Sequence, residues 1–209
     1  GSQGPLVNSV AAAERYYETW GRLWERAVLL RARACAGDAE IGALVAREVV
    51  TPFVYRHQVD PRIAGALAEL VERSRQELSE APARDLKLGP GGIREAEFFV
   101  QALQLIWGGR EPSVRVPETL AALARLSFRG LVTDREAREI GQAYDLLRRC
   151  EHRIQWMRGV QTHLLPQRAE DLAHLARTLG LRDDAELVEA LERARAVVEE
   201  RFRSLAPEA

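Results

Sequence analysis

Apolar residues recur at a helical period along almost the whole of this 209-residue chain, with polar positions on the opposing faces. Ser9 or Asn8 caps a first predicted helix that reaches about Ala34 and is closed by Gly37. Asp38 opens a second helix to about Tyr55, with Pro52 bending or breaking it near its end. Asp60-Pro61 starts a third, to about Ser79, because aspartate at the cap and proline at the first helical position is the favoured order. Residues 80–92 carry Pro82, Pro90 and three glycines and form the longest connector. A fourth helix spans Ile93 to Trp107 and is stopped by Gly108-Gly109, and a fifth spans Pro117 to Phe128. Thr133 or Asp134 caps a long sixth to about Arg158, and residues 172–179 and 185–205 close the chain. Only Pro5-Leu6-Val7-Asn8 reads as extended. The pattern predicts an all-α fold, an elongated helical bundle of about eight helices with a short strand remnant at the N-terminus.

Several polar residues stand where the pattern puts the core. In the first helix Ala13, Tyr17, Trp20, Trp24 and Ala27 share a stripe, which makes both tryptophans core residues, and Arg31 falls in the middle of it. In the sixth, Ile140, Tyr144, Leu147 and Ile154 share a face with Glu151 at its centre. Buried charges need partners, so Arg31 and Glu151 are expected to face inwards, pairing together or lining a polar cleft. An ordinary ion pair, or helices rotated enough to wet both residues, fits the same spacing. The fourth helix is apolar around most of its circumference, and Arg94, Glu97, Gln101 and Gln104 gather on one narrow strip, with Glu95 outside it. Such a helix is central, its strip directed at water or at a site.

Composition narrows the classes. Hydrophobic content of 46% with 29% charged residues fits a globular domain, and a net charge of −1 argues against a broad nucleic-acid or membrane-surface footprint. No apolar run is long enough to span a bilayer, so the expected compartment is the cytoplasm. Cys35 and Cys150 provide no disulfide framework and are expected to pack as small hydrophobes. The four histidines have no ligand spacing with one another or with cysteine, so no metal site is expected. Arg148-Arg149 with Arg153 and Arg158 is a basic run, but neighbouring acids favour a solvated face.

The chemistry concentrates in the connector. Of 30 basic residues only Lys87 is a lysine, and it opens Lys87-Leu88-Gly89-Pro90-Gly91-Gly92-Ile93-Arg94-Glu95. Glycines before a helix let backbone N–H groups turn towards an anion, and the helix start adds its own free donors. Lys87 and Arg94 flanking that turn would complete a phosphate-binding corner. A glycine-rich connector with a surface lysine has the same spacing.

The segments in order resemble the glutamine synthetase adenylyltransferase/adenylyl-removing enzyme family over roughly residues 4–165. The resemblance rests on Gly4-Pro5-Leu6-Val7 with Tyr16-Tyr17, and on Trp24-Glu25-Arg26 with Leu29-Leu30-Arg31-Ala32-Arg33 and Gly37-Asp38. It rests further on the Lys87 to Glu95 run with Glu97-Phe98 and Gln101, on Gly108 to Pro112, and on Tyr144 to Glu151. It implies a nucleotidyltransferase unit followed by a helical domain, here with residues 1–9 as the junction and 10–209 as the helical part. Pro52 to Arg56 and the Gly108 to Pro112 run resemble the N-terminal unit, which by resemblance removes AMP from a glutamine synthetase tyrosine by phosphorolysis, yielding ADP. The other unit attaches AMP from ATP. Both would use Mg²⁺ held by an aspartate pair that the family places upstream of Gly4; Asp183-Asp184, before a late helix, does not fit that pair. The segment is therefore expected to be inactive alone. By the same resemblance Lys87, Gly89, Gly91, Gly92 and Arg94 would contact nucleotide or phosphate. Glu95, Glu97 and Gln101 would support them, and Arg31 with Glu151 would brace the helices. Expected partners are glutamine synthetase, a PII-type regulator and the chain's own nucleotidyltransferase domain. The alternatives are a non-catalytic scaffold docking the same proteins and the helical domain of a related uridylyltransferase.

Overall fold

The structure is a computed structural model that describes residues 7–58 and 62–205. These residues build an all-α bundle: α1 Val10–Thr19, α2 Leu23–Leu29, α3 Ala39–Val45, α4 Thr51–Val54, α5 Ile63–Leu78, α6 Ile93–Trp107, α7 Thr119–Phe128, α8 Asp134–Arg158, α9 Ala169–Thr178 and α10 Asp184–Ser204. The predicted extended segment falls partly on Pro5 and Leu6, outside the described residues, and Val7 and Asn8 are not in a strand. The Asp60-Pro61 cap also lies outside the described residues.

Local chemistry explains most boundaries. Ser9, Asp38, Thr133 and Asp183 each cap their helix by accepting a backbone N–H. Thr133 adds a reciprocal bond with Glu136, and Gly159 ends α8 in the left-handed conformation at φ 65°. Pro52 neither breaks nor simply bends its helix. Residues Ala46–Val50 widen into a π-helical turn between α3 and α4, and the Thr51 hydroxyl donates to the Ala46 carbonyl at 2.8 Å. The wide turn accommodates a ring that would otherwise meet the carbonyl four residues back.

The first helix departs from expectation. It breaks at Trp20–Arg22, where the Arg22 N–H donates to Glu25 Oε2 at 2.8 Å to start α2 and where a side chain at Gly21 would stand 2.3 Å from the Phe53 ring. The apolar stripe therefore does not carry across the break. Trp20 is 71% exposed and Trp24 48%, so neither is a core residue, while Ala27 is buried. Cys35 is exposed and Cys150 buried, so the small-hydrophobe reading holds for Cys150 alone.

Helix α6 occupies the centre. Ile93 and Ala96 join a cluster with α8, α9 and α10; Phe98, Ala102 and Leu105 join one with α2, α4 and α5; Phe99, Val100 and Leu103 join a third with α7 and the start of α8. Each fully buried large side chain contributes about 1.5–3 kcal/mol, so a helix feeding three clusters fixes the bundle and positions whatever is built at its ends.

Candidate functional site

The connector before α6 folds around one buried carboxylate. Asp85 has no exposed surface. Its Oδ1 accepts the N–H groups of Lys87 at 2.9 Å and Leu88 at 2.8 Å, so the side chain stands in for a backbone turn. Its Oδ2 accepts the Ser79 hydroxyl at 2.6 Å and lies 3.4 Å from His163 Nε2. The Asp85 backbone pairs antiparallel with Leu164, and Leu86 N–H donates to the His163 carbonyl at 2.9 Å. Two arginines clamp the loop. Arg195 of α10 donates to the carbonyls of Ala83 at 2.7 Å and Asp85 at 2.8 Å, and its burial lowers its pKa. Arg75 of α5 donates to the Leu88 carbonyl at 3.0 Å and pairs with Glu95.

The glycines serve this packing. Gly91 adopts φ +63°, and a Cβ there would stand 2.1 Å from the Arg195 carbonyl oxygen. Its N–H donates to Glu95 Oε2 at 3.0 Å, Gly92 N–H to the Gly89 carbonyl at 3.0 Å, and Gly89 N–H to the Asp85 carbonyl at 3.2 Å. The expectation that Gly91 and Gly92 direct free donors at an anion is therefore corrected, since both N–H groups are satisfied within the chain. The carboxylate at the helix start is the protein's own Glu95. Burial raises the pKa of Glu95, against the lowering effect of the Arg75 charge and the Gly91 N–H.

The turn leaves its two cations free. Arg94 N–H donates to the Lys87 carbonyl at 3.0 Å, so both side chains leave one backbone junction. Both residues are half-buried. Among the described residues the Lys87 ammonium has no hydrogen bond or ion pair, and the Arg94 guanidinium has only the face of Phe98, 5.9 Å from the ring centroid. Arg75, Arg148 and Arg201, by contrast, are each held by carboxylates. Two uncommitted cations on a rigid turn can hold a phosphate or another polyanion.

The polar strip of α6 divides. Gln104 is buried and donates to the carbonyls of Val114 at 2.7 Å and Val116 at 2.8 Å, a structural tie to the segment before α7. Glu97 binds Arg31 at 3.2 Å and accepts the Tyr144 hydroxyl at 3.1 Å; Arg31 also donates to the Thr119 hydroxyl at 3.0 Å. Burial, and then the Glu97 charge, push the Tyr144 hydroxyl pKa up. Gln101, one turn along from Glu97, is 8% exposed and has no hydrogen bond among the described residues. The expected pairing or shared cleft of Arg31 and Glu151 is not found. The first helix ends before Arg31, which is exposed and reaches Glu97, while buried Glu151 is held by Arg148 of its own helix at 2.6 Å.

Sequence reasoning missed Asp85, Arg75 and Arg195. Asp85 had a local signal, an aspartate two residues ahead of a glycine-rich turn. The two arginines act across long sequence separations that no local pattern reports. Among the described residues no group of three His, Cys, Asp or Glu side chains is arranged to hold a metal. No helix among them is long and apolar enough to cross a membrane.

This arrangement defines a helical module whose central helix starts at a braced, cation-bearing turn. Residues 62–206 match the family model described as GlnD PII-uridylyltransferase, and residues 1–48 match that of glutamate-ammonia ligase adenylyltransferase. Bifunctional glutamine synthetase adenylyltransferase/adenylyl-removing enzymes match nearly all of it. That of Aromatoleum aromaticum is 40% identical over 97% of the chain and 21% of its own length. That of Rhizobium meliloti is 42% identical over 96% and 21%, and that of Burkholderia mallei 40% identical over 97% and 23%. The chain belongs to the glutamine synthetase adenylyltransferase/adenylyl-removing enzyme family. It spans about a fifth of the length of the curated relatives it matches.

Proposed function

We propose that this chain is the helical companion of a nucleotidyltransferase domain, and that Lys87 and Arg94 hold phosphate or the nucleotide's phosphates during adenylyl removal from a tyrosine of glutamine synthetase. The observation that carries the reading is the pair of half-buried cations without carboxylate partners, joined at one rigid backbone junction. In the reaction a phosphate oxygen attacks the adenylyl phosphorus. The bond from phosphorus to the tyrosyl oxygen breaks, that oxygen takes a proton, and ADP leaves. Lys87 and Arg94 offset the charge of the incoming phosphate and orient it, and the Asp85, Arg75 and Arg195 contacts keep the turn from yielding. Metal ions, where used, belong to the companion domain, with residues 1–9 as the junction to it. The segment is inactive alone, works in the cytoplasm, and takes ATP, ADP or phosphate only as part of the larger enzyme.

The test is Lys87→Ala in the full-length enzyme. Loss of one charge-assisted contact of about 1.5–3 kcal/mol predicts a fall in phosphate-dependent turnover of roughly ten- to a hundredfold. The melting temperature should hold, because the ammonium has no partner to lose. Unchanged turnover would overturn the reading. One observation favours a second reading, a scaffold that docks glutamine synthetase or a PII-type regulator: the glycine turn satisfies its own donors. On that reading Lys87→Ala weakens partner binding and leaves the phosphate dependence untouched. The uridylyltransferase description of the longer family match gives a third, in which uridylyl transfer to a PII protein is the activity to assay.

A further inference from the structure

Helix α8 carries an unusual exposed face near its C-terminal end. Arg149, His152, Arg153 and Trp156 recur at helical spacing and border a surface hollow of about 360 Å³. Trp156 is 81% exposed, and the Arg153 guanidinium lies 5.6 Å from its ring centroid. Arg149 is paired with Asp145 at 2.8 Å, whereas Arg153 and the nearby Arg158 have no carboxylate among the described residues. Basic side chains in the last turn of a helix do complement its dipole, which accounts for Arg158. The dipole gives no reason to expose a tryptophan, and Met157 and Val160, which follow it in the chain, are exposed too.

An exposed tryptophan in contact with an arginine that has no carboxylate partner among the described residues has the composition of an interface anchor, because Trp and Arg dominate the energetics of protein contacts. The charge selects an acidic partner. The location selects which one. Beyond Gly159 the chain runs only to His163, whose carbonyl accepts the Leu86 N–H and whose ring lies beside Asp85, so the end of α8 that carries this face is joined by a single short loop to the segment that holds the Lys87 turn. A protein substrate delivering a modified tyrosine to that turn must cover neighbouring surface.

We infer that this face of α8 docks the protein substrate, an acidic segment of glutamine synthetase that places an apolar side chain against Trp156; the inference rests on the proposed site at Lys87. The test uses the full-length enzyme in the adenylyl-removing direction, with KM for adenylylated glutamine synthetase and for phosphate measured separately. Trp156→Ala and Arg153→Glu should each raise KM for the protein substrate by roughly tenfold or more, as loss of an interface anchor does. Both should leave the phosphate KM and the saturated turnover within about twofold, because neither residue touches the cation pair. Added salt should raise the wild-type KM for the protein substrate and have less effect on Arg153→Glu. Exposed side chains are substituted, so the fold should survive, and a thermal melt verifies it. An unchanged protein-substrate KM in both variants overturns the inference. So does self-association of the wild type that Trp156→Ala abolishes, which would assign the face to a second copy. Failure of the Lys87 reading shows instead as Lys87→Ala with normal phosphate dependence, whatever these two variants do.

Discussion

Removing the Asp85 carboxylate should loosen the whole turn. In Asp85→Ala the N–H groups of Lys87 and Leu88 and the Ser79 hydroxyl lose a fully buried acceptor at 2.9, 2.8 and 2.6 Å. A hydrogen bond to a charged group contributes about 1.5–3 kcal/mol, and bonds sharing one acceptor do not add fully, so the expected loss is about 3–5 kcal/mol. For a chain of this length each kcal/mol moves the midpoint by about 2–4 °C, which gives roughly 6–20 °C. Asp85→Asn keeps an oxygen for the two backbone donors and should lose about half as much free energy. Urea unfolding followed by circular dichroism, with calorimetry for the midpoint, measures both. A loss under about 1 kcal/mol in Asp85→Ala would refute the claim that this carboxylate organises the turn.

Two further substitutions read the same loop. Gly91→Ala should destabilise by at least about 2 kcal/mol, since the residue has φ +63° and the new methyl would meet the Arg195 carbonyl, whereas Gly65→Ala, in the first turn of α5 with open space around it, should stabilise by about 0.5–1 kcal/mol. Equal effects in urea unfolding would contradict the close approach. Glu95 has a pKa raised above its ordinary 4.5, so the folded state holds its proton more tightly than the unfolded chain does. Its contribution is greatest below 4.5 and is lost as pH rises from there through the raised value. The stability of the wild type relative to Glu95→Gln should therefore decline across that window, and a difference that grows with pH would show that the Arg75 ion pair outweighs burial.

Much of the fold was legible because its signals are local. The extents of α6 and α8, the caps at Ser9, Asp38 and Thr133, and the glycine stops follow from short-range chemistry. The centrality of α6 followed from its nearly all-round apolar surface, now seen feeding three clusters. The tryptophan stripe failed because the predicted helix is two, α1 ending at Thr19 and α2 starting at Leu23, with Gly21 against the Phe53 ring between them. The helical face that would bring Arg31 inwards, to pair with Glu151 or line a cleft with it, does not exist, because Arg31 lies beyond the end of α2. The candidate site was legible as a segment but not as a mechanism. Spacing placed Lys87, the glycines and Arg94 together, yet it could not reveal that Glu95 and Asp85 would take up the backbone donors.

The central claim is that Lys87 and Arg94 act on one phosphate. A double-mutant cycle tests it most directly: phosphate KM and turnover for the wild-type full-length enzyme, Lys87→Ala, Arg94→Ala and the double variant. If the two cations share one anion, loss of either should raise the phosphate KM, and the two losses should couple by about 0.5–3 kcal/mol. Single variants with wild-type phosphate dependence, or effects that simply add, would contradict a shared phosphate site.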